Sequence, residues 1–378
     1  MDLAPYVPRS AARLINRQLE LTRGLLSLSI LRPQSASPPS WITITPFCFP
    51  RSNSSAPQSQ LSSTRNMPPK QKKQPADPRP SSSVVLISPK NEILLLHRVK
   101  SSTSFASAHV FPGGNLSLQD GRCPPPGDPR RHEDASWYRN AAIRELFEES
   151  GILLAKNQGS GKMLAVGENE RERGRSEIHK KQTTFSEWLK KQNSSARYTT
   201  QMYLYFLPLP LESEKSLLSE IPAEGEREEI QIPTSDGGVE IAEAQFLPAS
   251  EWLGKATRGE IILFPPQFVL LSLAAQFLDK EPRTVEPDEL QRRRTQFIDF
   301  AHSGSPPWTE KCISPKVGKF AEDGRAVLTL EHPGPELEGT DRRGDPERAV
   351  FVRFRKGSAR ELSLAWKKDI FPGRKSSL

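Results

Sequence analysis

The sequence predicts an α/β fold followed by a β-rich extension, on three observations. Short apolar runs bounded by turn residues recur at 83–88, 92–98, 200–207 and 239–246. A helical segment from about Ala135 to Ser150 separates the early runs from the later ones. Three further strand-like runs, 326–330, 349–354 and 361–366, lie beyond position 280.

Within 378 residues there are 35 prolines and only 35% hydrophobic residues, so one folded domain with extensions is expected rather than one large core. Residues 1–80 open with Arg9, Arg13, Arg17 and Arg23 among Leu14, Ile15, Leu19, Leu21 and Leu25 at near-helical spacing, with few acids. Such an Arg-rich, acid-poor segment resembles a mitochondrial presequence, with a disordered tail as the alternative. The Ser/Pro-rich tract 33–64 after it is expected not to pack. A start at Met67 removes the presequence and leaves a cytoplasmic or peroxisomal destination; Ser376-Ser377-Leu378 loosely matches the peroxisomal Ser-Lys-Leu address.

Order is expected from residue 81. Residues 83–88 and 92–98 flank Pro89-Lys90-Asn91, which is turn chemistry, and read as a hairpin. Ala108 to Phe111 is a third extended piece that runs into Pro112-Gly113-Gly114, where glycine permits close backbone approach. A polar, proline-rich loop fills 115–134. Asp134 is the expected N-cap of the helix and Gly151 its stop. Residues 156–198 are highly charged and read as a surface insertion carrying one short helix, announced by the capping-box pattern Thr184-Phe185-Ser186-Glu187. A short helix at 250–257, the apolar run 261–264 and a helix from Pro265 to Leu278 complete a domain over 81–280, with 281–378 as the extension.

Composition excludes several function classes. Cys48, Cys123 and Cys312 are widely separated, with no CxxC pair and no histidine at ligand spacing, so neither a disulfide framework nor a zinc site is expected. The longest apolar stretch, 268–278, is about half the ~20 residues needed to cross a bilayer, and no membrane span is expected. The net charge of +8 is spread too diffusely to indicate nucleic acid. Oligomeric state is left open.

The chemistry concentrates in Arg144-Glu145-Leu146-Phe147-Glu148-Glu149-Ser150-Gly151-Ile152. At 100° per residue, Glu145 and Glu149 stand about 40° apart on a helix and Glu148 about 60° to the other side of Glu145. A solvated acidic stripe is the alternative, and it meets two objections. Glu145 and Glu149 repel at i,i+4, at a cost of about 0.2–0.5 kcal/mol, with Ile152 and Leu153 rather than cations beyond them. Glu148 and Glu149 also occupy the last turn, where the helix dipole disfavours anions by about 0.3–1 kcal/mol. A hard divalent cation removes both objections, because Mg²⁺ or Mn²⁺ takes carboxylate oxygens and joins them to phosphates. Arg144 is placed to brace the glutamates through its planar fork.

These residues resemble the Nudix hydrolase box: Gly, five residues, Glu, seven residues, then Arg-Glu-apolar-any-Glu-Glu-any-Gly-apolar. The second half matches through Ile152. In the first half, the pattern counted back from Arg144 meets Arg130 instead of glycine and Ser136 instead of glutamate. With Gly114 as the box glycine, Arg144 follows after 30 residues instead of 14, an expansion of 16. That interrupted box, with 94–98, 108–114 and 141–153 and echoes at 197–204 and 265–267, resembles the peroxisomal or mitochondrial coenzyme A diphosphatases.

The resemblance implies an α/β/α sandwich on a mixed sheet. It implies that Glu145, Glu148 and Glu149 bind Mg²⁺ or Mn²⁺ and that a nucleoside diphosphate-linked small molecule is hydrolysed. Coenzyme A or an acyl ester would give 3′,5′-ADP and a phosphopantetheine. ADP-ribose, a dinucleotide or capped RNA are the alternatives, and a catalytically silent binding module is a third reading. Gly113 and Gly114 are the expected backbone contacts to phosphate, and Arg98 and Lys100 the contacts to an extra phosphate. The general base is expected to be Glu145 or a loop carboxylate such as Glu243 or Glu260.

Overall fold

The computed structural model describes residues 41–44, 79–102, 105–157, 164, 166–192, 194–195, 202–209, 232–279, 286–334, 337–355 and 358–371. The presequence-like segment, Met67, Cys48 and the C-terminal tripeptide lie outside these.

Apolar, β-branched runs form the strands. β1 (Trp41–Ile44), β2 (Ser81–Ile87), β3 (Ile93–Arg98), β4 (His109–Val110), β5 (Gly113–Asn115), β8 (Met202–Phe206) and β9 (Ile241–Leu247) make one seven-stranded mixed sheet. The two-residue strands β6 (Lys156–Asn157) and β7 (Ser194–Ser195) pair separately. β2 and β3 form the expected hairpin, with Asn91 in the left-handed region that Asn tolerates. β2 runs parallel to β8 on one side. On the other side it pairs antiparallel with β5 and, at its far end, with β3. The segment 109–115 therefore leaves β3, which β4 pairs, and crosses to β2, with Val84 N donating to Pro112 O at 2.8 Å. This crossing sets Gly113 and Gly114 at a fork in the sheet.

Alternation along the strands feeds two cores. Val84, Leu86, Leu94, Leu96, Tyr203 and Tyr205 pack with α1 (Ser136–Ser150), α2 (Glu168–His179) and α3 (Phe185–Lys191). Val85, Ile87, Ile93, Leu95 and Leu204 pack on the opposite face with α4 (Ala249–Thr257), α5 (Pro265–Leu278) and α6 (Pro287–Ala301). The arrangement is an α/β/α sandwich, as expected. The extension supplies α6, an antiparallel sheet of β10 (Lys316–Phe320), β11 (Ala326–Leu330), β12 (Asp345–Arg355) and β13 (Ser358–Trp366), and the single turn α7 (Lys367–Ile370). Ala326, Leu328, Val350 and Val352 join the second core, so residues 81–280 and the extension share one hydrophobic interior. Arg294 of α6 locks it to the hairpin by donating to Asn91 Oδ1 and to the Ser88 and Leu207 carbonyls.

Three local expectations are corrected. Trp41–Ile44, inside the tract expected not to pack, pairs antiparallel with β8, because Trp-Ile-Thr-Ile has strand propensity that the flanking Ser/Pro composition hides. The N-cap of α1 is Ala135, without a side-chain cap bond; Asp134 instead pairs with Arg139 at 3.0 Å. The segment after α1 is not a surface insertion with one helix. It carries two, and Ile178, Phe185, Trp188 and Leu189 enter the core, with the Trp188 ring stacked 4.8 Å from Phe147. Its apolar residues are few among many charges, and its buried arginines read as solvent-facing while Arg171 donates to Val166 O and Arg175 to Glu148 O. No helix among the described residues is long and apolar enough to cross a membrane.

Candidate active site

Helix α1 ends at Gly151, whose φ of 72° is the left-handed stop that glycine provides and whose N–H reaches Phe147 O. Leu146 and Phe147 are buried and seat the helix on the sheet, which sets Glu145 and Glu149 against β5 at the fork, while Glu148 faces His179 and the turn after α2. The three glutamates are not a solvated stripe: Glu149 is 4% exposed, and the Glu145 and Glu148 side chains are 15% and 16% exposed. The cluster is held from both sides. Gly113 N donates to Glu149 Oε2 at 2.8 Å, and Arg98 Nη1 lies 3.4 Å from Glu149 Oε1. Arg144 Nη1 lies 2.9 Å from Glu145 Oε1 and 3.1 Å from Glu148 Oε2.

Gly113 and Gly114 are required by space as much as by conformation. A Cβ on Gly113 would meet the Ser82 carbonyl oxygen and lie 2.6 Å from Ser83 Cα, and its φ is +153°. A Cβ on Gly114 would fall 2.6 Å from both carboxylate oxygens of Glu145. The backbone thus approaches the carboxylates where any side chain would fill the gap.

Burial pushes the Glu145 carboxyl up to about 7, with Arg144 opposing and Glu148 adding to the rise. Glu148 is raised by burial against the pull of Arg144. Glu149 is held well above the usual carboxylate range by burial and then by Glu145, while the Gly113 N–H and Arg98 oppose. Burial alone would lower Arg144; Asp120, Glu145 and Glu148 outweigh it and hold it charged. Three desolvated carboxyls, with Glu148 raising Glu145 and Glu145 raising Glu149, suit a hard divalent cation, which favours their charged forms. Among the described residues no three Asp, Glu, His or Cys side chains stand in metal-ligand geometry. Arg144 spans Glu145 and Glu148 while Arg98 takes Glu149, so the donor chemistry fits and the carboxylates converge on one ion only by turning from these arginines.

Two residues that hold the cluster are not apparent in the sequence. Asp120 meets Arg144 in a two-pronged ion pair, and it stands six residues after Gly114, where the box pattern asks for glutamate. Asp120 to Arg144 is 24 residues where the pattern needs 8, so the 16-residue expansion falls wholly between them. Counting forward from Gly114 finds it; counting back from Arg144 does not. Glu240 is the other. Asp236 gathers the N–H groups of Gly238, Val239, Glu240 and Ile241 and so fixes the turn before β9, and Glu240 then pairs with Arg98 at 2.9 Å.

Other expected residues fall elsewhere. Arg98 is spent on Glu149, Glu240 and Ser102, which removes it as a contact for an extra phosphate. Lys100 is exposed in the turn after β3. Glu243 lies opposite His97 on the face of β3 and β9 turned away from α1, and exposed Glu260 pairs with Arg258, so neither reaches the cluster.

No protein-family model and no curated protein matches the chain. Solved structures similar to it are a Nudix hydrolase from Alicyclobacillus acidocaldarius, at 20% identity and a TM-score of 0.38, covering 53% of this chain and 93% of that one. A MutT protein from Methanosarcina mazei Go1 is similar at 12% identity and a TM-score of 0.23, covering 57% and 92%. A MutT/nudix family protein from Enterococcus faecalis is similar at 14% identity and a TM-score of 0.23, covering 61% and 84%.

Proposed function

We propose that the chain is a Nudix pyrophosphohydrolase that cleaves a nucleoside diphosphate-linked small molecule with Mg²⁺ or Mn²⁺. The observation that carries this reading is the largely desolvated cluster of Glu145, Glu148 and Glu149, with Glu145 and Glu149 against Gly114 and Gly113, at the end of a helix that matches the second half of the box. When bound, the divalent ion held by these carboxylates neutralises the diphosphate and lowers the pKa of water. The chain does the remaining work. Gly113 and Gly114 admit phosphate oxygens to the backbone, and Arg144, fixed by Asp120, is the cation from which Glu145 and Glu148 turn to take the ion. The proton of the attacking water would pass to Glu145 or to Glu240, which Arg98 holds beside Glu149.

Within this class coenzyme A or an acyl-coenzyme A is the proposed substrate, giving 3′,5′-ADP and the phosphopantetheine. It is supported by the interrupted box and by Ala108 to Gly114. Purified chain with Mg²⁺ or Mn²⁺ is assayed against coenzyme A, acyl-coenzyme A, ADP-ribose, a dinucleotide and capped RNA, with products resolved by chromatography. Fastest turnover of a coenzyme A species supports the assignment, and preference for another member reassigns the substrate. No turnover of any leaves the silent binding module. The Arg-rich N-terminal segment is proposed to direct the chain to mitochondria; fluorescent fusions of the full chain and of one starting at Met67 test it, and identical distributions would refute it.

A further inference from the structure

An open cavity of about 410 Å³ adjoins the cluster between Arg144 and Glu148 of α1 and the turn joining α2 to α3. Its polar wall comprises Gln119, His179, Lys181, Gln182, Thr183 and Glu187. Most of its charge is already committed. Glu148 is bound by Arg144, and Glu187 accepts the Thr184 N–H in the capping box of α3. His179 Nε2 lies 3.2 Å from Glu148 O, and Gln119 Oε1 accepts from Phe185 N. Arg144 already serves Asp120, Glu145 and Glu148. Among the described residues the cation in this wall without an ion pair is Lys181.

Lys181 also sits where its backbone is strained. Helix α2 closes with Lys181 N donating to Ile178 O and Gln182 N to Glu177 O, the paired bonds that end a helix on a left-handed residue. Glycine is the residue that fits there without cost, and Lys181 adopts φ 58°. A lysine at a place that favours glycine, lining a cavity beside the cluster, points to a task for the side chain other than ending the helix.

We propose that this cavity is the subsite for an anionic group that the substrate carries outside its diphosphate, with Lys181 as the counter-ion. The proposal rests on the diphosphate reading above. It replaces Arg98, which is spent on carboxylates, and it gives the α2–α3 segment a part in selecting substrates.

Lys181→Gly is a clean variant because it relieves the left-handed strain, so its melting temperature should equal or exceed that of the parent chain. Lys181→Asn, also tolerant of that conformation, serves as a second neutral variant. The full chain and both variants are titrated calorimetrically with AMP and with adenosine 3′,5′- and 2′,5′-bisphosphate. The parent chain should bind one bisphosphate about tenfold more tightly than AMP, as expected for a charge-assisted contact, and both variants should reduce that preference to about twofold or less. A parent chain without preference, or variants that keep it, overturns the proposal. Diphosphate hydrolysis is measured on the same preparations. Preference without turnover removes the diphosphate reading and leaves an anion site, whereas turnover without preference removes the subsite alone.

Discussion

Asp120 and Arg144 face each other through two hydrogen bonds of 2.9 Å, Nε to Oδ1 and Nη2 to Oδ2, with side chains 2% and 6% exposed. The pair ties the expanded loop to α1 and fixes the arginine that touches Glu145 and Glu148. Removing one partner of a buried pair costs about 3–5 kcal/mol. Asp120→Ala should therefore lower the melting temperature by several degrees and reduce kcat at least tenfold, and Asp120→Glu should restore part of both. Activity unchanged in Asp120→Ala, measured by steady-state kinetics, would separate Arg144 from the chemistry.

Gly114 is adjacent to Glu145 with no room for a methyl group. Gly114→Ala should displace the Glu145 carboxylate and lower kcat/KM at least tenfold, with little change in melting temperature because the residue is on a short strand beside the fork. Equal kinetics for variant and parent would show that the spacing is not used.

His109 stacks on His97 at 4.5 Å, has a buried Nδ1 without a partner among the described residues, and is pushed down to about 4 by burial, then by His97 and Lys255. A histidine with a lowered folded pKa binds fewer protons folded than unfolded. Its contribution is complete above its unfolded value near 6.5 and is lost as pH falls from there toward 4. The loss is on the order of 1–3 kcal/mol after allowance for partial exposure to water. Denaturant midpoints measured across that window should fall in the parent chain and flatten in His109→Gln; parallel curves would contradict it.

The acidic helix was legible because its chemistry is local: consecutive residues, helical spacing and a glycine stop. The hairpin, the Pro265–Leu278 helix and the capping box at Thr184 were legible for the same reason. What stayed hidden depends on contacts distant in sequence. Asp120 was displaced from the expected count by the expansion after it. Arg98 read as a free cation because its partners, Glu149 and Glu240, are 51 and 142 residues away. Helix α6 was not anticipated because its buried side includes Arg293 and Arg294 beside Leu290 and Phe297, and arginine on a packing face imitates a solvated one.

Metal-dependent hydrolysis of a diphosphate at the α1 cluster is the proposed activity. The most direct measurement is the initial rate of nucleotide release from the best diphosphate substrate, with Mg²⁺ and with chelator, for the parent chain, Glu149→Gln and Glu243→Gln. Turnover that requires Mg²⁺, falls at least about a hundredfold in Glu149→Gln and persists in Glu243→Gln is the predicted result. Turnover that survives in Glu149→Gln, or that proceeds equally with chelator, would contradict it.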